Sequence, residues 1–203
     1  MEIKLLLEAH LIRNSNCYGI LTKNAAVVID PGLFTDDIYN FLTENSDKER
    51  LILLTHGHTD HIGGARELRE KTGVKIAVGE GDAAAVSNGR YIFGRDTDRN
   101  ILFESDVVLK DGETLNVGDL EIKVIATPGH SEGSVCYLVN GCLFSGDTLF
   151  FETIGRTDFD GSSFSDMGQS LKKLKKLSKD IKVYPGHGPA TDIAHELEFN
   201  PYL

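Results

Sequence analysis

The chain has 203 residues, 40% hydrophobic and 26% charged, which is the make-up of an ordinary globular protein long enough to bury a sizeable core. Its formal net charge of −10 argues against nucleic acid or an anionic membrane surface as the main partner. No apolar run reaches the length of a membrane span, and "MEIKLLLEAHL" has no cleavage-site pattern, so a cytoplasmic location is expected.

The elements alternate from the start. "EIKLLL", "NCYGILT" and "AAVVID" read as strands, the last two separated by "KN", a two-residue turn. "TDDIYNFLTENSDKE" follows as a helix. Thr35 is its N-cap, Asp36 and Asp37 stand in the first turn, and Ile38, Phe41 and Leu42 form one apolar face. "RLILLT" is a continuous apolar run, as in a strand covered on both faces. "ARELREKTG" is a helix stopped by Gly73, "VKIAVG" a strand and "EGDAAAVS" a short helix. Residues 88–104 have no regular pattern and predict a long surface loop.

The second half repeats the first in outline. "LEIKVIATPGH" is a strand leading into a histidine-bearing loop, as "RLILLTHGH" is. "SVCYLVNGCLFSGD" parallels "NCYGILTKNAAVVID", so hairpins closing at Asp30 and Asp147 suggest an internal repeat. A lysine-faced helix spans 164–179, with Met167, Leu171, Leu174 and Leu177 on one face. "IKVYPGHG" is a strand ending in a third histidine loop. No linker divides the chain, which predicts one α/β domain over residues 1–203. The cysteines Cys17, Cys136 and Cys142 are an odd number at spacings that suggest no disulfide framework, and each is expected as a buried thiol.

Five of the seven histidines lie at the ends of strand-like runs beside Gly or Pro, where a rigid scaffold presents chemistry. The densest group is "HGHTDH". In an extended segment His56 and His58 point to the same side, and Asp60 and His61 follow after the chain turns to face a second position. Imidazole is the commonest metal ligand and a carboxylate neutralises a divalent ion, so one short loop can serve two ions.

This loop, followed by "TPGHSEGS", "FSGDTLF" and "YPGHGP", resembles the metallo-β-lactamase superfamily along nearly the whole chain, from "NCYGIL" to "GHGP". The resemblance implies an αββα sandwich of two similar halves with two divalent metal ions at one edge. It assigns His56, His58 and His130 to the first ion and Asp60, His61 and His187 to the second, with Asp147 bridging both. Zinc is the expected metal, with iron and manganese compatible with the same donors. Such a pair holds a hydroxide and polarises a carbonyl, which implies hydrolysis without a Ser or Cys nucleophile. Asp60, a ligand and a base, would orient the hydroxide or take its proton. Ser145 is read as packing, and His10 and His195 as structural or surface residues.

Within the superfamily, "ETIGRTDFDG" is similar to the segment after the bridging Asp in glyoxalase II-like thioesterases and in persulfide dioxygenases. In the thioesterases a basic residue there contacts the glycine carboxylate of glutathione, which implies a substrate role for Arg156. A purely structural Arg156, paired with Asp158 or Asp160, is the competing reading. The tyrosines of the thiol-ester pocket are replaced by Asp158 and Pro189, and the helical C-terminal domain of full-length glyoxalase II has no counterpart, which points to the compact single-domain glyoxalase II-like group. The expected function is binuclear hydrolysis of a small thioester such as a hydroxyacyl-glutathione. The alternative is a mononuclear non-haem iron persulfide dioxygenase using His56, His130 and Asp147.

Overall fold

The computed structural model of the protein describes residues 1–9, 14–91 and 100–203. His10 lies outside the described residues. In the first half, β1 (Glu2–Leu7), β2 (Cys17–Leu21) and β3 (Ala25–Ile29) precede α1 (Asp36–Glu44) and β4 (Glu49–Leu53). Two helices, α2 (Thr59–Ile62) and α3 (Ala65–Thr72), lead to β5 (Lys75–Gly79), α4 (Ala83–Asn88) and β6 (Val107–Leu109). These six strands form one sheet in sequence order.

The second half contains β7 (Thr114–Val117), β8 (Leu120–Ala126), β9 (Val135–Val139), β10 (Cys142–Gly146) and the small hairpin β11 (Leu149–Phe150) and β12 (Thr153–Ile154). It continues with α5 (Phe164–Leu174), β13 (Lys182–Pro185), β14 (Thr191–Asp192) and α6 (Ile193–Phe199). Its six-stranded sheet has the order β14-β13-β10-β9-β8-β7. The repeat is visible in the pairing. β2 and β3 are antiparallel and β3 is parallel to β4, just as β9 and β10 are antiparallel and β10 is parallel to β13.

Side-chain alternation explains the layers. In β3, Ala25, Val27 and Ile29 face the space between the sheets, while Ala26 and Val28 face the helices. In β9, Val135, Tyr137 and Val139 join that same central core, and Cys136 packs with Met167, Leu171 and Leu174 of α5. Strands buried on both faces must be apolar throughout, as "RLILL" is. Three apolar layers thus separate helices, sheet, sheet and helices, which is the αββα sandwich expected. Each fully buried Leu, Ile or Val contributes roughly 1.5–3 kcal/mol to holding the layers together.

The local signals act as read. The Thr35 hydroxyl accepts from the Ile38 amide at the start of α1, and Gly73 ends α3 with φ +70°. Two expectations are corrected. The lysine-faced helix ends at Leu174, not 179, although half-buried Leu177 still packs on the same core through turns beyond the helix. Within 88–104, residues 92–99 lie outside the described residues; in the flanks Asn88, Arg90, Asn100 and Glu104 are exposed, while Tyr91 and Phe103 are buried at 1% and 5%. Both are bulky rings that the core absorbs. Cys17 and Cys136 are buried free thiols, while Cys142 is half-buried, its place at the start of β10 leaving one side open. No helix among the described residues is long and apolar enough to cross a membrane.

Candidate metal centre

The candidate residues leave the carboxyl ends of strands along one edge of the sandwich, where open α/β sheets gather chemistry. His56, His58, Asp60 and His61 follow β4, His130 follows β8, Asp147 directly follows β10, and His187 follows β13. All seven predicted ligand positions meet there. His56, His58 and His130 form one group whose donor atoms lie within 4.8 Å of one another, and Asp60, His61 and His187 form another. Asp147 stands between them. Its carboxylate is 3.4 Å from His130 Nε2, 3.3 Å from His61 Nε2 and 3.6 Å from His187 Nε2.

The imidazoles are aimed by a hydrogen-bonded frame. Asp30, held at φ +51° as β3 ends, accepts at Oδ1 from the Thr55 amide at 2.7 Å and at Oδ2 from the Thr55 hydroxyl at 2.6 Å. Since that hydroxyl donates to Asp30, it accepts the His56 Nδ1–H across 3.1 Å. His61 Nδ1–H donates to the same Asp30 Oδ2 at 2.9 Å. His130 Nδ1–H donates to the Arg156 carbonyl at 2.8 Å. Each arrangement orients its ring and turns Nε2 toward the centre. His58 faces the site with its other nitrogen, Nδ1, 2.8 Å from His130 Nε2.

The loops are locked as well. Asp82, fully buried, accepts from the Gly57 amide at 2.8 Å, the Ser131 hydroxyl at 2.7 Å and the Gly133 amide at 2.7 Å, tying the first histidine loop to that of His130. Asn16 Nδ2 donates to the carbonyls of Pro185 and Gly188, both at 3.0 Å, on either side of His187. A side chain at Gly32 would collide with the Asp60 carbonyl, and one at Gly186 with the Asp147 carboxylate, so both positions require glycine.

The residues fit divalent cations. The Nε2 atom of His56 is buried and has no hydrogen-bond partner, an arrangement that is costly unless something positive accepts its lone pair. Burial, reinforced by His61, pushes the His56 imidazole well below its usual range, and burial with His130 lowers His58 to about 3, so both are neutral donors. Burial also disfavours a charged His61, yet Asp147, Asp30 and Asp60 around it outweigh that and raise its pKa well above normal. Three carboxylates converge where one positive charge is too few. Burial alone would raise Asp60 and Asp147, but the neighbouring imidazoles hold both below the ordinary carboxylate range.

Sequence reasoning missed Asp82, Asn16 and the role of Asp30. Asp30 was visible as the counterpart of Asp147 in the repeat; Asp82 looks like a helix cap, and makes no capping bond. The remaining residues are placed plainly. Arg156 points outward, its Nε and Nη2 2.9 and 2.8 Å from the two Asp158 carboxylate oxygens, so the structural pairing considered for it exists. The Ser145 hydroxyl is spent on the Leu149 carbonyl at 2.7 Å, as packing requires. His195 lies between Phe151 and Phe199, with Nε2 3.0 Å from Glu152, away from the centre.

A two-layered sheet core carrying histidines and aspartates at one edge defines a metal-dependent hydrolase class, and the comparisons agree. Residues 11–187 match the metallo-beta-lactamase superfamily, and the chain belongs to that family. The hydroxyacylglutathione hydrolase of Francisella tularensis subsp. novicida is 34% identical over 189 residues, spanning 92% of this chain and 68% of the relative. Among solved structures, the BLEG-1 B3 metallo-beta-lactamase superposes with a TM-score of 0.86 at 30% identity, covering 100% of this chain and 99% of the other. TTHA1623 in a di-iron-bound form gives 0.78 at 29% identity, covering 95% and 96%.

Proposed function

We propose that the protein hydrolyses a small thioester, a hydroxyacyl-glutathione or a close analogue, with two divalent ions, zinc foremost, held by its seven clustered ligands. The observation that carries this reading is Asp147, whose carboxylate stands within 3.6 Å of imidazoles from both clusters. His56, His58 and His130 would hold one ion, Asp60, His61 and His187 the other, and Asp147 both. Bound there, such ions supply activated water with a pKa of about 7 and a Lewis acid for the thioester carbonyl.

The chain's own residues orient and collect. Asp60, kept ionised by His61 and His187, offers a carboxylate that aligns water and receives its proton. Asp30 and the Arg156 carbonyl hold the imidazoles in the orientation that ligation needs. The Arg156 guanidinium, exposed and paired with Asp158, is the candidate for exchanging that partner for a substrate carboxylate. The relationship to a hydroxyacylglutathione hydrolase supports the thioester bond as target.

A second reading, persulfide oxidation at one iron on His56, His130 and Asp147, is favoured by "GRTDF" at 155–159. The test is hydrolysis of S-lactoylglutathione by protein loaded separately with zinc, iron and manganese. Turnover that disappears in His58→Ala is the expected result. No turnover with any metal overturns the proposal, and oxygen uptake with glutathione persulfide on the iron form would then support the second reading.

A further inference from the structure

Glu196 of α6 is fully buried, and its carboxylate is shared by donors from the β11–β12 hairpin, from β14 and from the end of α6. Oε2 accepts from the Glu152 amide at 2.9 Å and from Asn200 Nδ2 at 2.8 Å, and Oε1 accepts from the Thr191 hydroxyl at 2.6 Å. The Asn200 amide also donates to the Thr153 carbonyl at 3.0 Å. Glu152 stands in the turn between β11 and β12 at φ +55°, a conformation that glutamate seldom adopts. His195 clasps the same turn, its ring stacked on Phe151 at 4.9 Å and its Nε2 3.0 Å from Glu152 Oε1.

The hairpin held in this way reaches into the metal centre. Asp147 lies two residues before β11. The Phe150 ring stands edge-on to His187, with centroids 6.0 Å apart. Beyond β12, Gly155 packs so closely on the Asp147 carbonyl that a Cβ would overlap it, and the Arg156 carbonyl accepts from His130 Nδ1 at 2.8 Å. On the other side of the Glu196 carboxylate, Thr191 opens β14, and the loop bearing His187 runs from β13 to that strand. One side chain therefore ties the segment after Asp147 to the segment after His187, whose Nε2 is 3.6 Å from the Asp147 carboxylate.

Stability alone does not call for a carboxylate in this place. Burying one costs desolvation, and an apolar side chain of similar volume fills such a position without that cost. Only the polar group fixes direction, because a fully satisfied buried network rigidifies the segments that it joins.

We propose that Glu196 is a positioning residue for the metal centre: by joining the β11–β12 turn to β14, its carboxylate sets the spacing between Asp147 and His187. It acts through the hairpin and the His187 loop. The inference rests on the metal-centre reading above, and not on which bond is cut.

The test measures zinc affinity by chelator competition, the visible spectrum of the cobalt(II)-loaded protein, and thermal unfolding. Wild type is compared with Glu196→Leu and Glu196→Gln. Glu196→Leu removes all three acceptor bonds and should weaken zinc binding about tenfold and shift the cobalt bands, as loss of supporting contacts around metal ligands does. Gln keeps an oxygen for Glu152 and Asn200 while its amide donates to the Thr191 hydroxyl, so Glu196→Gln should bind zinc nearly as the wild type does. If Glu196→Leu does not fold, Asn200→Ala, which removes the bonds to Thr153 and Glu196, is read in its place with the same expected direction. Wild-type affinity and an unchanged cobalt spectrum in the folded variant, whatever its unfolding temperature, overturn the inference and leave Glu196 securing α6 alone. Equal loss in the Leu and Gln variants also overturns it, because the bonds that Gln preserves would not be the ones that matter. A wild type that takes up no zinc overturns the metal-centre reading, and the inference with it.

Discussion

Asp30 and His61 meet across 2.9 Å, both side chains buried, and the same Asp30 oxygen takes the Thr55 hydroxyl that fixes His56. One carboxylate therefore orients one imidazole in each ligand cluster. Asn tolerates the positive φ of this position, so Asp30→Asn removes charge while leaving the backbone in place. Metal affinity and kcat/KM should fall about 10- to 100-fold, read by chelator competition and S-lactoylglutathione hydrolysis. Unchanged affinity would show that Asp30 does not govern the imidazoles.

Asp82 predicts a stability effect. Replacing it with Ala leaves the buried amides of Gly57 and Gly133 and the Ser131 hydroxyl without their acceptor. Urea unfolding should show a loss of about 3 kcal/mol. A loss within about 0.5 kcal/mol would mean that the two histidine loops are held by other contacts.

At Gly186 a methyl group has nowhere to go, with Asp147 on one side and His61 on the other. Gly186→Ala should displace the Asp147 carboxylate and lower kcat/KM about 100-fold, because displacements near 1 Å cost that much in a preorganised site. Wild-type activity in this variant would place the reacting groups elsewhere.

The thiols give a prediction about pH. Burial raises the Cys136 thiol to about 11 and Cys17 well above its normal value, and Cys142 is raised as well, with one side open. Because the thiolate is the reactive form, native protein at pH 8 should leave Cys17 and Cys136 unmodified by a disulfide reagent, with slow labelling confined to Cys142. All three should react after denaturation. Fast labelling of Cys17 or Cys136 in the native state would contradict their burial.

Much of this was legible in the sequence because it is local. "RLILLT" announces a strand covered on both faces, Thr35 caps the helix after it, and the spacing in "HGHTDH" places ligands on either side of a turn. The strands at Val107–Leu109 and Thr114–Val117 were not seen, since they are short and depend on pairing with β5 and β8. The supporting residues were hidden for a related reason. Asp82 and Asn16 act through bonds to segments 25 to 172 positions away, which no spacing rule reaches. Arg156 shows the same limit, because its pairing with Asp158 is visible in sequence while its cover over Phe159 and the histidines beneath is not.

If seven side chains form a site for two ions, metal stoichiometry shows it. Purified protein stripped with a chelator, reloaded with zinc and freed of excess should be analysed for metal per chain. Two zinc ions are expected in the wild type and one in an Asp60→Asn/His187→Ala variant that keeps His56, His58 and His130 intact. A wild type that binds a single ion, or a variant that still binds two, would contradict it.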